Sequence, residues 1–464
     1  MTNTDLVIVL PGIMGSTLKG PNDKLVWAPS GGAILRAIRT FGRSIKDCQL
    51  PDGIGDDHPG DGIAPVALMP DVHAIPGIWT PIKGYDRLLA LLNRLGYREQ
   101  QPGDDAPPAN LVPVPYDWRL SARYNGRWLA RVVEPALDRW RSQGGRCADA
   151  KVVFVCHSLG GLVARWYIEK CGGAEITRKL ITIGTPYRGS AKAVEQLVNG
   201  VSKGIGPLSV DLTAFARSLP ATYQLLPEYA CIDSGGQLLK VTGGLPELST
   251  SRVTDAMRFY ADLQAAERAR PACLTMTHAI VGTRQPTWTT VRITSDNRVD
   301  PLDTIGTDND YGDATVPLTG AIGYDQPMDT PLVHRVADQH GNLQRNQAAL
   351  DEIEEIITAQ PVRRMNTQPV KVRVSVPDLI TAGQNLAVTI DIDDDSRHAI
   401  KVSITDENRK LLQSRQPRIA RGHADLTFAD LPPGAHTVDV TGLQPSSPIA
   451  PVSATTLIWS DDPA

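Results

Sequence analysis

The chain has 464 residues, of which 41% are hydrophobic and 21% charged, a balance typical of a globular protein with a large core. Its formal net charge of -4 gives no overall attraction to nucleic acid or to an anionic membrane, so any such contact must come from a local patch. The six cysteines show no C-x-x-C spacing, which argues against a structural zinc site and against a disulfide-stapled domain.

The N-terminal sequence MTNTDLVIVLPG enters an apolar run without the basic and apolar regions of a secretory signal. No apolar stretch approaches the ~18 residues that are needed to span a bilayer. We therefore expect a cytoplasmic protein whose only contact with a membrane is peripheral.

Short apolar runs alternate with helix-period segments through the first three-quarters of the chain, a pattern that predicts an α/β fold with a parallel sheet. The runs are continuous in Val, Ile and Leu, as expected of strands buried on both faces. The five candidate strands are LVIVLPG, LVPVPYDW, KVVFVCHS, KLITIGTP and HAIVGT. Helical spacing predicts helices over 85–95 and 129–140, and NLQRNQAALDEIEEII predicts a last helix.

Two long segments, residues 19–82 and about 191–277, are rich in Gly and Pro and break this alternation. Segments of this length inside a compact domain are usually functional insertions, so we predict that both are caps.

The first insertion contains AILRAIRTFGRSIKD, residues 33–47, in which apolar and basic residues recur at near-helical spacing. One interpretation is a helix that lies in a membrane interface; the other is an ordinary cap helix with its apolar face on the core. The residues that would contact lipid are Ile38, Phe41, Arg39 and Arg43.

After TAQPVRRMNTQP the apolar residues alternate with polar ones, as in Val370, Val372, Val374 and Val376. This period of two predicts an immunoglobulin-like β-sandwich over 368–464, beside a first domain over 1–360. The sandwich could be a docking module for a protein partner or a spacer. In either case a chain ending near residue 362 is expected to remain active.

The sequence VVFVCHSLGGLVARWY places Ser158 between a strand and a helix. A nucleophilic serine needs such a tight turn, because its hydroxyl must project towards a substrate while small neighbours let the backbones approach. Gly160 and Gly161 meet this need, and only Cys156 departs from the G-x-S-x-G form. Ser158 is the candidate nucleophile.

An acid and then a histidine must follow the serine along the chain. YGDATVPL supplies Asp313 and ADQHGNLQRN supplies His340, while Asp310 and His334 are alternatives that spacing alone leaves open. The early sequence VLPGIMGS offers an oxyanion-binding loop, in which the N–H groups of Ile13 and Leu159 would stabilise the developing charge. Here Gly12 and Gly15 would permit an unusual backbone path.

Seven motifs together carry a family resemblance: PGIMGS, PYDWRLS, CHSLGG, ITIGTPYRGS, RSLPATYQLLP, GDATVP and HGNLQRN. Their order over about residues 6–358 resembles that of the lecithin:cholesterol acyltransferase family, which includes lysosomal phospholipases.

The resemblance implies an α/β-hydrolase fold, an acyl-serine intermediate and lipid esters as substrates. Triad chemistry of this kind requires no metal or organic cofactor. It assigns the triad to Ser158, Asp313 and His340 and the oxyanion donors to Ile13 and Leu159. It implies a phospholipase-like acyl hydrolase or an acyltransferase. An esterase of soluble or polymeric esters and a non-catalytic binding protein with the same fold remain alternatives.

Three features depart from the family. Cys156 stands where alanine or glycine is usual, Cys48 has no cysteine near it in sequence, and the sandwich lies outside the resemblance. In PYDWRLS, Asp117 and Arg119 could contact substrate, but a buried ion pair that ties the sheet edge to a cap is the favoured interpretation, because buried charges must be paired.

Overall fold

The computed structural model describes residues 4–28, 48–70, 83–101, 107–203, 210–241, 244–271, 275–360, 370–393, 396–419, 422–443, 447 and 449–459. The segment 33–47, with Ile38, Arg39, Phe41 and Arg43, therefore lies outside the described residues, and its membrane contact stays a prediction. Among the described residues, no helix is both long enough and apolar enough to cross a membrane.

A six-stranded parallel sheet forms the centre of the first domain. Five of its strands were predicted from continuous apolar runs. The sixth, Val333–Ala337, was missed because it is an edge strand and only two of its five residues are fully buried. In spatial order the strands are Val333–Ala337, Met276–Thr283, Thr177–Ile183, Val152–His157, Leu6–Leu10 and Leu111–Pro113.

Helices cover this sheet and extend into the second insertion. Their described members are Asp86–Arg94, Ala122–Arg141, Leu159–Lys170, Ala191–Asn199, Thr213–Ser218, Pro220–Tyr223, Thr250–Ala269 and Gln347–Thr358. The predicted last helix is divided: His340–Arg345 is a 3-10 turn, and the α-helix begins only after Asn346, whose side chain accepts hydrogen bonds from the amides of Ala348 and Ala349. His340 is thus held in a turn and not in an α-helix.

The two insertions pack onto the sheet domain and share its core. Trp27 from the first insertion and Phe215 from the second both contact the buried Trp118, with ring centroids 5.4 and 6.4 Å away. Small sheets combine strands of each insertion with strands that lie outside it. One contains Ser16–Lys19, Leu25–Trp27 and Ala64–Leu68, and another contains Ile232–Ser234, Gln237–Leu239, Thr290–Ile293 and Val299–Leu302. Short strand pairs are formed by Ser202–Lys203 with Val210–Asp211 and by Thr304–Ile305 with Asp308–Asn309.

The ion pair favoured for PYDWRLS is present. Arg119 is fully buried, and its guanidinium lies 2.7 Å from Asp117 and 2.7 Å from Asp61 of the first insertion. The pair therefore joins the end of the sheet to the cap.

The described residues from 370 onwards form two packed sheets with a core of their own. Their strands pair antiparallel, except that Leu379–Thr381 pairs in parallel with Val452–Trp459. Burial alternates along the strands, as in Leu386–Ile392, which confirms the period-of-two pattern. One sheet contains Val372–Ser375, Leu386–Ile392 and His423–Phe428; the other contains Leu379–Thr381, Val452–Trp459, Gly434–Gly442, His398–Thr405 and Leu411–Arg415, with Arg418–Ile419 paired beside it.

Candidate active site

Ser158 lies on a sharp turn between the central strand Val152–His157 and the helix Leu159–Lys170. Its φ of 51° and ψ of -124° are strained for a residue with a side chain. The two glycines that follow are required by close packing: a Cβ on Gly160 would lie 2.4 Å from the Pro11 carbonyl oxygen, and one on Gly161 would lie 2.1 Å from Thr185 Oγ1. The turn therefore holds the Ser158 hydroxyl above the end of the sheet.

Cys156, the departure from the usual form, lies in the strand and not in the strained turn. It is fully buried, in register with Leu10 on one side and Thr182 on the other. Burial raises the pKa of its thiol well above the ordinary value. The side chain thus acts as a small core residue, and the positive φ of the turn lies at Ser158.

The structure brings Ser158, His340 and Asp313 into one hydrogen-bonded chain. Ser158 Oγ lies 2.8 Å from His340 Nε2, and His340 Nδ1 lies 2.8 Å from Asp313 Oδ2. All three residues are buried. This is the arrangement in which an imidazole can accept a serine proton while a carboxylate holds the ring.

Backbone amides hold Asp313 in place. Its Oδ1 accepts hydrogen bonds from the amides of Thr315 at 3.0 Å and Val316 at 2.7 Å, and its own carbonyl oxygen accepts one from the His340 amide at 2.7 Å. The alternatives lie elsewhere: Asp310 accepts from the Thr319 amide, and His334 contacts Glu352 and His278.

The loop predicted to bind the oxyanion packs directly against the nucleophile. A Cβ on Gly12 would lie 3.0 Å from Ser158 Cβ, and Ile13 lines the pocket at Ser158. The positive φ of this loop lies at Met14 and not at Gly12 or Gly15. Gly15 is needed for close approach, because its Cβ would lie 2.8 Å from Pro11 Cβ. The donor roles of Ile13 and Leu159 stay predictions.

A buried relay of hydrogen bonds, which the sequence analysis missed, connects this loop to the histidine. The Gly12 amide donates to Tyr85 Oη at 2.8 Å, and this oxygen lies 2.9 Å from His157 Nδ1. His157 Nε2 lies 3.1 Å from the His340 carbonyl oxygen, which can only accept, so Nε2 carries the proton and the Tyr85 hydroxyl donates to Nδ1. Burial and the adjacent His340 lower the pKa of His157 to about 3, so the relay keeps this tautomer at neutral pH.

We expect Tyr85→Phe to lower kcat for a soluble ester about 10- to 100-fold with little change in KM. The variant leaves the Gly12 amide and His157 Nδ1 unpaired, so the oxyanion loop and His340 lose their common support. Tyr229→Phe is the matched control, because it removes a buried hydroxyl that donates to the Thr289 carbonyl, away from the triad. Equal kcat losses in both variants would contradict the relay.

A small, mostly apolar pocket opens at Ser158 and His340. Its other lining residues are Ile13, Met14, Pro186, Ser190, Ala193, Leu225, Thr315 and Val316. This lining suits an apolar group, because its burial requires no polar partner. Among the described residues, no group of three His, Cys, Asp or Glu side chains is arranged to hold a metal ion.

The sandwich contacts the loop that carries Asp313. Buried Gln285 exchanges backbone hydrogen bonds of 2.9 and 3.0 Å with Gly312, next to Asp313. Its side-chain amide donates to the Val372 carbonyl oxygen and accepts from the Val374 amide, each at 3.2 Å. Gln285 thus joins the acid loop to a strand of the sandwich.

The sandwich also contacts the loop that carries the histidine. Asp338, two residues before His340, accepts a hydrogen bond from the Ser453 amide at 3.1 Å and from Asn346 Nδ2 at 2.7 Å. Burial raises the pKa of Asp338 to about 6. Both loops of the candidate triad are therefore in contact with the second domain.

These contacts lead us to expect that a chain ending near residue 362 loses turnover of a small soluble ester, opposite to the result expected from the sequence. Truncation would remove the Val372 and Val374 partners of the Gln285 side chain and the Ser453 partner of Asp338, each hydrogen bond contributing about 0.5–1.5 kcal/mol. Measuring soluble-ester turnover and thermal melting of the full chain and of the truncated chain checks this expectation. Full activity of the truncated chain would show that the contacts do not support the triad.

The parallel sheet, the strained serine turn and the Ser158–His340–Asp313 geometry define the class of the protein: it has an α/β-hydrolase fold with a serine at its nucleophile position. Residues 80–257 match the family model of lecithin:cholesterol acyltransferase, so the resemblance drawn from the motifs is confirmed over this part of the chain.

Curated relatives point to the same family. The lysosomal phospholipase A and acyltransferase of Homo sapiens is 26% identical over 195 residues, which are 40% of this chain and 42% of that protein. The Rattus norvegicus protein matches to the same extent. The aligned part thus spans less than half the length of these relatives. Among solved structures, the Bacillus licheniformis lipase BlEst2 in propeptide form has a TM-score of 0.37 and 10% identity, covering 98% of this chain and 93% of that one.

Proposed function

We propose that this protein is a serine-dependent acyl hydrolase or O-acyltransferase that acts on lipid esters through an acyl-serine intermediate. The observation that carries the proposal is the buried Ser158–His340–Asp313 chain with 2.8 Å between each pair. The apolar pocket at Ser158 and the family match favour a lipid acyl chain over a soluble ester.

In the first half of the reaction, His340 Nε2 accepts the Ser158 proton as Oγ attacks the ester carbonyl. The amides of Ile13 and Leu159 stabilise the tetrahedral oxyanion, and Asp313 remains ionised and holds the imidazolium. The intermediate expels the leaving alcohol, which takes the proton from His340, and the acyl group remains on Ser158.

In the second half, His340 removes a proton from water or from an acceptor alcohol, whose oxygen attacks the acyl-serine. Collapse of the second tetrahedral intermediate returns the proton to Ser158 and releases an acid or a new ester. The choice between hydrolysis and transfer depends on which acceptor reaches the acyl-serine.

A fluorophosphonate probe followed by intact-mass measurement tests the proposal, with Ser158→Ala as the control. We expect one adduct on the native chain and none on the variant. The native protein is then compared on phosphatidylcholine vesicles and on a short soluble ester. Absence of labelling favours the non-catalytic binding protein, and turnover of the soluble ester alone favours the esterase.

We further propose a cytoplasmic location with peripheral membrane contact through residues 33–47. The basic and apolar residues at helical spacing support this proposal. In liposome co-sedimentation, Ile38→Asp combined with Phe41→Asp should abolish binding to anionic vesicles and leave soluble-ester turnover intact. Retained binding would move the lipid contact to another surface.

A further inference from the structure

A second cleft, distinct from the pocket at Ser158, lies between the hydrolase domain and the sandwich and has a volume of about 470 Å³. Five basic side chains line it from both domains: Lys83, Arg87, Arg345, Lys401 and Arg409. The acidic side chains in the described lining are Asp406, Glu407 and Asp439. Cations therefore outnumber carboxylates in this cleft.

Lys83 is the notable member of this group, because it is 5% exposed while its ammonium makes no hydrogen bond or ion pair within the described part of the chain. Burial lowers the pKa of Lys83 to about 8. The carboxylates of Asp439 and Asp338 favour the charged form of this lysine, and the neighbouring Arg345 and Arg87 oppose it. An anionic ligand in the cleft would add negative charge beside the lysine and the arginines.

The backbone around Lys83 is held firmly. Its amide donates to the Gly341 carbonyl oxygen at 3.1 Å, and its carbonyl oxygen accepts a hydrogen bond from Gln344 Nε2. Both partners belong to the turn that carries His340. The backbone of Lys83 is thus held at the wall of the cleft, beside this turn.

Two of the three carboxylates already have other partners. Asp406 Oδ1 accepts hydrogen bonds from the amides of Asn408 and Lys410 in its own turn. Asp439 Oδ1 accepts one from the Ser453 hydroxyl. These contacts hold the carboxylates in the cleft wall, where they offset part of the positive charge and leave a net excess of basic side chains in the described lining.

We propose that this cleft binds a phosphate-bearing anion. Arginine guanidinium groups bind phosphate oxygens in pairs, and a lysine supplies a point charge. The hydroxyls of Ser403, Thr405 and Thr437 in the same lining are neutral donors that can complete the contacts. The ligand is a free phosphate or the phosphodiester of a lipid headgroup, which share this chemistry.

The basic residues come from both sides of the junction: Lys83, Arg87 and Arg345 from the hydrolase domain, Lys401 and Arg409 from the sandwich. A bound anion would relieve the repulsion between like charges on the two walls. Phosphate is therefore expected to stabilise the docked arrangement of the two domains.

Thermal melting of the full chain in inorganic phosphate, against chloride at equal ionic strength, tests the site. We expect a saturable rise in Tm that Lys83→Met weakens at least tenfold in apparent Kd. Lys24→Met, which removes an exposed charge, should leave the rise unchanged. If Lys83→Met does not fold, Lys401→Gln is measured in its place, with the same weakening expected.

Glycerophosphocholine and phosphatidylcholine vesicles distinguish the source of the phosphate. Stabilisation by inorganic phosphate alone identifies a free phosphate ligand, whereas stabilisation by the phosphodiesters identifies a lipid headgroup. The proposal is overturned if none of the three probes raises Tm above the chloride control, or if the lysine variants respond as the native chain does. Because the readout is melting, the outcome is separate from that of the ester assays.

Discussion

Ser158→Ala and His340→Ala are each expected to reduce ester turnover by about a million-fold, and Asp313→Asn by about ten-thousand-fold. The serine variant has no nucleophile, and the histidine variant has no base within 2.8 Å of Oγ. In Asp313→Asn a neutral side-chain amide replaces the carboxylate, so the negative charge that stabilises the imidazolium is lost. Turnover of a short soluble ester, measured on folded protein, checks all three.

The same series decides between the candidate histidines. His334→Ala is the control, because His334 contacts Glu352 and His278 and has no contact with Ser158. Its turnover should equal that of the native chain. The losses in the triad variants should also be non-additive, so a Ser158→Ala/His340→Ala chain should be no slower than either single variant. A large loss in His334→Ala with an active His340→Ala would contradict the assignment.

Gly184→Ala is expected to lower kcat about 100-fold. After the triad substitutions, this is the largest loss of activity that we expect. Gly184 has φ +57°, and a Cβ there would lie 3.2 Å from both Asp313 Oδ2 and His340 Nδ1. The added methyl group would press on both atoms of the hydrogen bond that orients the imidazole. A shift of even 1 Å in a catalytic group can cost this much in rate.

The control for this variant is Gly145→Ala, because Gly145 has the same φ of +57° and a Cβ added there would have no atom within 4 Å. Both variants lose about 1–2 kcal/mol from the left-handed backbone conformation. Only Gly184→Ala should lose kcat. Equal kcat values after correction for the folded fraction would show that the triad tolerates the methyl group.

Local sequence is sufficient for features whose residues are adjacent in the chain. The apolar runs predicted five of the six central strands, and the small residues after Ser158 indicated the serine turn. The strand Val333–Ala337 was missed because an edge strand is only partly buried and lacks a continuous apolar run. The break between His340–Arg345 and the last helix was missed because helical spacing continues across the cap at Asn346.

By itself the sequence determined the fold class, the candidate nucleophile and a short list of acids and histidines, since strand burial and turn packing leave local patterns. Only the tertiary structure brought Asp313 and His340 to Ser158 and left Asp310 and His334 elsewhere. Only the tertiary structure showed that Tyr85 bonds to the oxyanion loop and that the sandwich contacts both loops of the triad. These contacts join residues that are tens to hundreds of positions apart in the chain. The periodicity of apolar residues in a local segment does not indicate which distant groups come into contact once the core has packed.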